Sequence, residues 1–264
     1  MLSIAHTISA TLLLLPLLSL ASLGSTIDRE ISFACPESSN SQVFKAIERT
    51  YSHFFEMNGQ EFSMRTTTEK RMLLEISSER LDGGCAQSNP VFDNLNSPIL
   101  VRGNTPIAQL LVKALSRQEL SDLSALEQLQ DTAFRVGIVG SSGTALAAKK
   151  LNLKFQNILT IDRGVKMLAA NRLDYVISNH LQLNRVNRTI DPTHPLHLSK
   201  TLFHLDIYPI LHKKHRGLIP AIDDYLSQLQ QCLGGPLSQV NREAWVKITS
   251  SEIDMCLDRP LETQ

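Results

Sequence analysis

A short segment rich in glycine and serine, Gly140-Ser141-Ser142-Gly143, offers the first candidate chemistry in this chain. It follows an apolar run typical of a buried strand and precedes a helix predicted to start at Thr144. Backbone N–H groups and hydroxyls at a helix N-terminus suit a carboxylate or another anion. The alternative is a tight turn in which a serine or threonine caps the helix, and such a turn needs no ligand. The residues alone leave both interpretations open.

The glycine pattern does not match a nucleotide-binding or catalytic motif. Gly137, Gly140 and Gly143 recur at every third position, which is neither GxGxxG nor a phosphate-binding loop, because no lysine follows Gly143. The serines also lack the GxSxG spacing of a nucleophile elbow. No paired acid and base can be assigned elsewhere, so we predict no catalytic residue and no cofactor.

Histidines and charged residues in the predicted helices are interpreted as solvent-exposed surface and not as a metal site. His212 and His215 could share a helical face and bind a metal, but no HExxH motif accompanies them. With Lys213 and Lys214 between them, a solvated basic helix start is favoured. Glu69 lies in a helical stretch and is interpreted in the same way, as part of a solvated face. We therefore predict no metal site.

An even number of cysteines predicts disulfides if the chain is exported. The four are Cys35, Cys85, Cys232 and Cys256. They allow three pairings, among which the sequence does not choose. The alternative is four buried thiols that act as small apolar residues. No CxxC pair is present, which disfavours a zinc ribbon or a thioredoxin-like site.

The N-terminus resembles a secretory signal peptide. Ile8 to Leu20 is an apolar run shorter than the roughly 20 residues that span a bilayer. Small residues at Ser22 and Gly24 predict cleavage after residue 24, with Ala21 as the alternative site. The first seven residues lack the usual Lys or Arg, so an uncleaved anchor is the competing interpretation. We expect residues 1–24 to be the signal and the protein to be periplasmic.

The charge balance excludes one class of partner. The 264 residues contain 26 Lys and Arg against 26 Asp and Glu, which gives a formal net charge of zero. Such a chain has no global field that would attract nucleic acid. We therefore expect no nucleic-acid partner.

Strand and helix patterns alternate along the rest of the chain, which predicts an α/β fold with mostly parallel sheets. The first unit contains a strand over Glu30–Cys35, an amphipathic helix ended by Gly59, and a strand over Gln60–Arg65. A capped helix and a third strand that starts near Cys85 complete it.

A second unit of the same kind follows, with later helices after it. Its strands are predicted at Phe134–Val139, Asn157–Ile161 and Leu173–Ser178, with helices between them. Later helices are predicted at 219–233 and 239–248. The connection from residue 97 to 115 is ambiguous between strand and helix.

Three stretches resemble bacterial extracellular solute-binding proteins of family 3. Met167-Leu168-Ala169-Ala170-Asn171-Arg172-Leu173-Asp174 is similar to that family's "kmL..GR.Da" segment. Arg71 to Cys85 resembles its first-lobe "R.L..l..G..DG" segment, and Arg135 to Ser142 resembles its second-lobe strand and glycine loop. Each motif is weak alone, but their order and spacing together are fairly specific, over roughly residues 28 to 235.

The resemblance implies a two-lobed, periplasmic-binding-protein-like fold of type II. Each lobe would be a mostly parallel sheet flanked by helices, and two crossing strands would form the hinge. Lobe 1 is expected over residues 25–104 and 200–264, and lobe 2 over residues 105–199. The ligand would lie in the cleft between the lobes.

The resemblance also implies a set of ligand-binding residues. Amino-acid-binding members of the family hold the α-carboxylate with an arginine after the third strand, where this chain has Gln87 and no Arg or Lys between residues 80 and 102. They hold the α-ammonium with an aspartate, where this chain has Asn179. Ser141, Ser142 and Thr144 would complete the site. Loss of both charged clamps argues against a plain α-amino acid as ligand, because hydrogen bonds to charged groups are the stronger ones.

Three functions follow as hypotheses. The leading one is a monomeric periplasmic protein that binds a small polar or anionic solute and delivers it to a membrane permease or a sensor. The second is an interaction or regulatory module of the same fold whose cleft has lost its ligand. The third, which we favour least, is a periplasmic enzyme that uses the cleft.

Overall fold

The computed structural model describes most of the chain after the predicted signal peptide. The described residues are 30–119, 123, 125–130, 133–140, 142–187, 196–238 and 241–258. The predicted signal peptide and the candidate ligand residue Ser141 lie outside these ranges. In the described ranges, no helix combines the length and the apolar character needed to cross a membrane.

The described residues form strands and helices in alternation through most of the chain. The strands are β1 (Ile31–Cys35), β2 (Phe62–Thr66), β3 (Gly83–Ser88), β4 (Leu100–Arg102), β5 (Ala108–Ser116), β6 (Val136–Val139), β7 (Gln156–Ile158), β8 (Tyr175–Asn179), β9 (His197–Leu198) and β10 (Phe203–His212). The helices are α1 (Gln42–Met57), α2 (Glu69–Ser77), α3 (Asn89–Leu95), α4 (Gly143–Lys150), α5 (Ile161–Ala169), α6 (His180–Asn187), α7 (Ile219–Leu233), α8 (Arg242–Lys247) and α9 (Ser250–Leu257). Two 3₁₀ helices cover Leu126–Leu129 and Lys213–Leu218.

The strands join one sheet that has a parallel group at each end. Its order is β2-β1-β3-β10-β5-β8-β6-β7, with β4 beside β10 and β9 beside β5. β1 is parallel to β2 and β3, and β6 is parallel to β7 and β8. Parallel neighbours need crossover connections, which the helices between them supply. We call β1–β4 with α1–α3 and α7–α9 lobe 1, and β6–β8 with α4–α6 lobe 2.

β5 and β10 are the crossing strands between the lobes. They pair antiparallel, from Phe203 opposite Val112 to Ile207 opposite Ala108. The second half of β10 then pairs with β3 in lobe 1, and the second half of β5 pairs with β8 in lobe 2. Each crossing strand therefore joins both lobes. The predicted residue boundaries, 25–104 and 200–264 against 105–199, stay a prediction.

The ambiguous connection from residue 97 to 115 forms strands β4 and β5. Thr105-Pro106, a possible helix start by sequence, begins no helix. The neighbouring backbone is already paired with β10: Gly103 N donates to the Pro209 carbonyl at 3.0 Å, and Ile107 N to the Ile207 carbonyl at 2.8 Å. This tertiary pairing outweighs the local helix signal.

Helix α1 covers the aromatic core of lobe 1. Ser41 caps it, because its hydroxyl accepts a hydrogen bond from Phe44 N at 3.0 Å. Gly59 follows its end with φ of +68°, a left-handed conformation that glycine adopts without strain. Its buried face packs edge-on against Phe33 of β1 through two rings, those of Tyr51 and Phe55. The predicted helix and its glycine stop are confirmed.

Three short helices were not expected from the sequence. α3 begins at Asn89-Pro90, where proline suits the first turn of a helix. α6 follows β8 directly. α9 has its own capping box between Thr249 and Glu252, and it follows α8, which lies within the helix predicted over 239–248. Trp245 is fully buried, as expected of a core residue.

The four cysteines form two disulfides, as predicted, and the structure selects one of the three pairings. Cys35 at the end of β1 joins Cys85 in β3, across a sequence separation of 50 residues. Cys232 near the end of α7 joins Cys256 of α9, across 24 residues. The alternative of four buried thiols is therefore wrong.

The basic segment after β10, residues 213–216, supplies two partners to a buried carboxylate. Asp82, which precedes β3, is 1% exposed and accepts hydrogen bonds from Lys214 Nζ at 3.0 Å and His215 Nε2 at 2.8 Å. The backbone N–H and hydroxyl of Ser32 also donate to it, at 3.0 and 3.1 Å. Within the described residues, no cluster of three His, Cys, Asp or Glu could hold a metal. The segment is the exposed basic helix start that the sequence predicts, but the pairing of Lys214 and His215 with buried Asp82 was not expected.

Replacing Asp82 by asparagine is expected to lower the free energy of unfolding by about 2 kcal/mol at neutral pH, because charge-assisted hydrogen bonds are lost. Burial opposes ionisation of Asp82, but the Ser32 N–H, His215, Lys214 and the Ser32 hydroxyl outweigh it and lower its pKa. A carboxyl whose pKa is lower in the folded state stabilises the fold above its unfolded pKa, near 3.9, and loses that contribution as the pH falls further.

Urea unfolding of wild type and Asp82→Asn at pH 7 and pH 3 tests this prediction. The difference between the two proteins should shrink at the lower pH. Asp224→Asn is a matched control, because Asp224 is exposed on α7. A difference that is the same at both pH values would contradict the assignment of the stabilisation to the ionised carboxylate.

Candidate functional site

A cavity of about 270 Å³ lies between the lobes. Its walls come from the carboxyl ends of β1 and β3 in lobe 1, from the starts of α4 and α6 in lobe 2, and from both crossing strands. Four of the five predicted ligand residues line it, namely Gln87, Ser142, Thr144 and Asn179. The structure thus brings these four residues together, and their ligand-binding role stays a prediction.

Gln87 is held rigidly in the lobe 1 wall. It lies in β3 and is 4% exposed. Its Oε1 accepts a hydrogen bond from Ser88 N at 2.8 Å, and its Nε2 donates to Glu69 Oε1 at 3.0 Å. Both ends of the amide are therefore oriented by the protein, and its position is fixed before any ligand arrives.

Glu69 is a cavity-lining side chain that the sequence interpretation placed wrongly. As the first residue of α2 it is half-buried and lines the cavity, so the prediction of a solvated face is wrong. Burial raises the pKa of its carboxyl, and the hydrogen bond from Gln87 acts in the opposite direction. A signal was present in the sequence, because Glu69 follows a strand closely at the start of a helix, and in parallel sheets such loops meet at a cleft.

Ser142 and Thr144 form the lobe 2 wall, at the start of α4. The Ser142 hydroxyl accepts from Ala145 N at 3.1 Å and donates to the Val139 carbonyl at 2.7 Å. Ser142 is therefore the helix cap, and the capping interpretation of the glycine loop holds at this residue. Thr144 is buried in the same wall.

Asn179 closes the site where β8 meets α6. Its Oδ1 accepts a hydrogen bond from Gln182 N at 3.0 Å. The neighbouring Ser178 hydroxyl donates to Gln182 Oε1 at 2.7 Å. Asn179 thus caps helix α6 while it lines the cavity. Its carboxamide is neutral and lacks the negative charge with which an aspartate would hold an α-ammonium group.

The charged side chains of the described cavity wall are acidic. Among the described lining residues, the charged side chains are those of Glu37 and Glu69, and no Lys, Arg or His is among them. Apolar side chains supply much of the remaining wall. The cavity is smaller than the roughly 300–1,000 Å³ typical of sites for drug-sized ligands. It therefore suits a small solute with hydrogen-bond donors.

The two lobes touch at the rim of the cavity. A Cβ atom built on Gly143 of α4 would clash with Ser88 Oγ and lie 3.1 Å from Ser88 Cβ. Close by, Lys150 Nζ of α4 pairs with Asp93 Oδ2 of α3 at 3.2 Å. The described conformation is therefore closed at this rim, and it depends on the absence of a side chain at Gly143.

Comparisons with known proteins show the fold. No family model and no curated protein sequence matches the chain. The periplasmic VFT2 domain of BvgS from Bordetella pertussis is similar, with a TM-score of 0.56 and 12% identity over 86% of this chain and 92% of that one. Holo ArgBP from T. maritima has a TM-score of 0.53 and 12% identity, over 76% of this chain and 90% of that one. A histidine kinase sensor domain with similarity to periplasmic binding proteins has a TM-score of 0.58 and 16% identity, over 83% and 96%.

These likenesses and the sheet order confirm the predicted fold class. The chain has a two-lobed, periplasmic-binding-protein-like α/β fold in which β5 and β10 are the crossing strands.

Proposed function

From this two-lobed fold, we propose that the protein binds a small polar solute in the cavity between its lobes, outside the cytoplasm, for delivery to a membrane permease or for sensing. The observation that carries the proposal is the cavity itself, whose wall is shared by both lobes and both crossing strands. A solute in that position stabilises the closed arrangement, because it contacts both lobes at once.

The structural neighbours support the two branches of this proposal. The arginine-bound state of ArgBP is a solute complex, whereas the histidine kinase domain is by its description a sensor domain. The two disulfides support an oxidising compartment. The changes at Gln87 and Asn179 support a solute other than a plain α-amino acid.

A thermal-shift screen of the exported protein tests the proposal. The panel contains amino acids, organic acids, amines and small peptides. At 100 times its dissociation constant a ligand contributes about 2.7 kcal/mol, which for a protein of this size raises Tm by about 5 °C or more. We expect at least one polar solute to produce such a shift.

A matched pair of variants assigns the shift to the cavity. Gln87→Ala should reduce it, because the residue lines the wall, whereas Gln231→Ala on the exposed face of α7 should not. If no solute class changes Tm, the proposal fails and a ligand-free interaction module replaces it.

A further inference from the structure

The charges around the cavity define the chemistry of its ligand. We propose, on the basis of the solute-binding function above, that the ligand is a small organic amine that places its ammonium against Glu69 and carries no carboxylate. The cavity wall, as described, contains two carboxylates and no basic side chain. A cationic ligand neutralises this wall, whereas an anionic ligand adds a like charge to it.

Glu69 has the geometry of an ammonium acceptor. Thr68 caps α2, and the N-terminus of a helix stabilises an ionised carboxylate at its first residue. Gln87 Nε2 holds Glu69 Oε1, while no donor among the described residues reaches Oε2. The second oxygen is therefore available to a ligand. A half-buried carboxylate without a cationic partner gains most from a charged donor.

The described wall offers no cationic partner to the carboxylate of an amino acid and accepts a carbon chain. Gln87 and Asn179 stand where the family resemblance implies charged clamps, both are neutral, and the Gln87 amide N–H already donates to Glu69. The Ser142 hydroxyl already donates to the Val139 carbonyl. Val43 and Ile47 of α1 and Leu205 of β10 offer apolar contact instead. A short aliphatic amine fits this combination.

Pairs of ligands that differ by one carboxylate test the proposal directly. The pairs are agmatine with arginine, cadaverine with lysine, and 3-methylbutylamine with leucine, each titrated calorimetrically into the full-length exported protein. Isovalerate, a matched anion, completes the set. We expect at least one amine to bind at least about 10-fold more tightly than its amino acid, because the ammonium bond to Glu69 is kept and the unpaired carboxylate is avoided.

The Glu69→Gln variant assigns the selectivity to one side chain. It keeps the size and the partial burial of Glu69 but removes the charge, so affinity for the amine should fall at least about 10-fold. Glu56→Gln is the matched control, since Glu56 is exposed on α1 and outside the cavity wall. An unchanged Tm of the unliganded variant shows that Glu69→Gln still folds.

The outcomes separate the ligand class from the function. Tighter binding of amino acids or of isovalerate than of any amine overturns the amine proposal and leaves solute binding intact. Amine binding that survives Glu69→Gln unchanged also overturns it. Absence of binding by every member of the set and of the wider screen overturns the proposed function itself.

Discussion

Replacing Cys35 and Cys85 together by serine is expected to lower the free energy of unfolding by about 4 kcal/mol. The disulfide closes a loop of 50 residues, and the entropy that such a cross-link removes from the unfolded chain corresponds to roughly that value. Both positions are almost fully buried, so two serine hydroxyls without assured partners add to the loss.

Loss of the Cys35–Cys85 disulfide should also loosen the cavity wall. The bond joins the adjacent parallel strands β1 and β3 just before Gln87, and Cys35 itself lines the wall. Urea unfolding of the oxidised wild type and the double variant measures the loss. The Cys232→Ser/Cys256→Ser variant is a matched control that removes the bond closing a loop of 24 residues, for which a loss of about 3.5 kcal/mol is expected. A loss below about 1 kcal/mol for the first pair would contradict the structural role assigned to it.

Replacing Gly143 by valine is expected to hold the lobes apart and weaken solute binding about 5- to 150-fold. A Cβ at this position would already lie 3.1 Å from Ser88 Cβ and from Leu205 Cδ2, and the two methyl groups of valine need more room still. Overpacking of a filled contact costs about 1–3 kcal/mol, which corresponds to that range of affinity. The valine itself is compatible with the backbone, since Gly143 does not have a positive φ.

Small-angle scattering and calorimetry measure the two halves of this prediction. The variant should show a larger radius of gyration and a weaker affinity for whichever solute the screen identifies. Gly217→Val is the matched control, because no atom lies within 4 Å of a Cβ built there. The milder Gly143→Ala should be partly rescued by Ser88→Gly, which removes the opposing side chain. A wild-type radius of gyration for Gly143→Val would show that the rim contact does not limit closure.

The sequence predicted well those features that depend on local signals. The helical pattern of α1 and its glycine stop follow from short-range chemistry, as does α7, which ends at Gly234 with φ of +76°. The alternation of strands and helices was sufficient for the α/β class. The resemblance of three motifs to solute-binding proteins of family 3 predicted the two lobes and the approximate place of the cleft.

The features that depend on distant contacts were left ambiguous or were missed. The strand character of residues 100–116 comes from pairing with β10, about 100 positions later, and no local pattern encodes that partner. Glu69 appears as an ordinary helix surface residue until Gln87 of the neighbouring strand is placed beside it. Lys214 and His215 look solvated until buried Asp82 is known to lie below them.

The pairing of the crossing strands places the two connections between the lobes side by side. Where the chain leaves lobe 1 and where it returns are adjacent, since Ile107 N donates to the Ile207 carbonyl and Ala108 lies opposite Ile207. Antiparallel neighbours at this distance can be joined by a hairpin of two residues. A gene for lobe 1 could therefore omit lobe 2 through one short turn, so the second lobe is arranged as an insertion that could be removed or exchanged as a module.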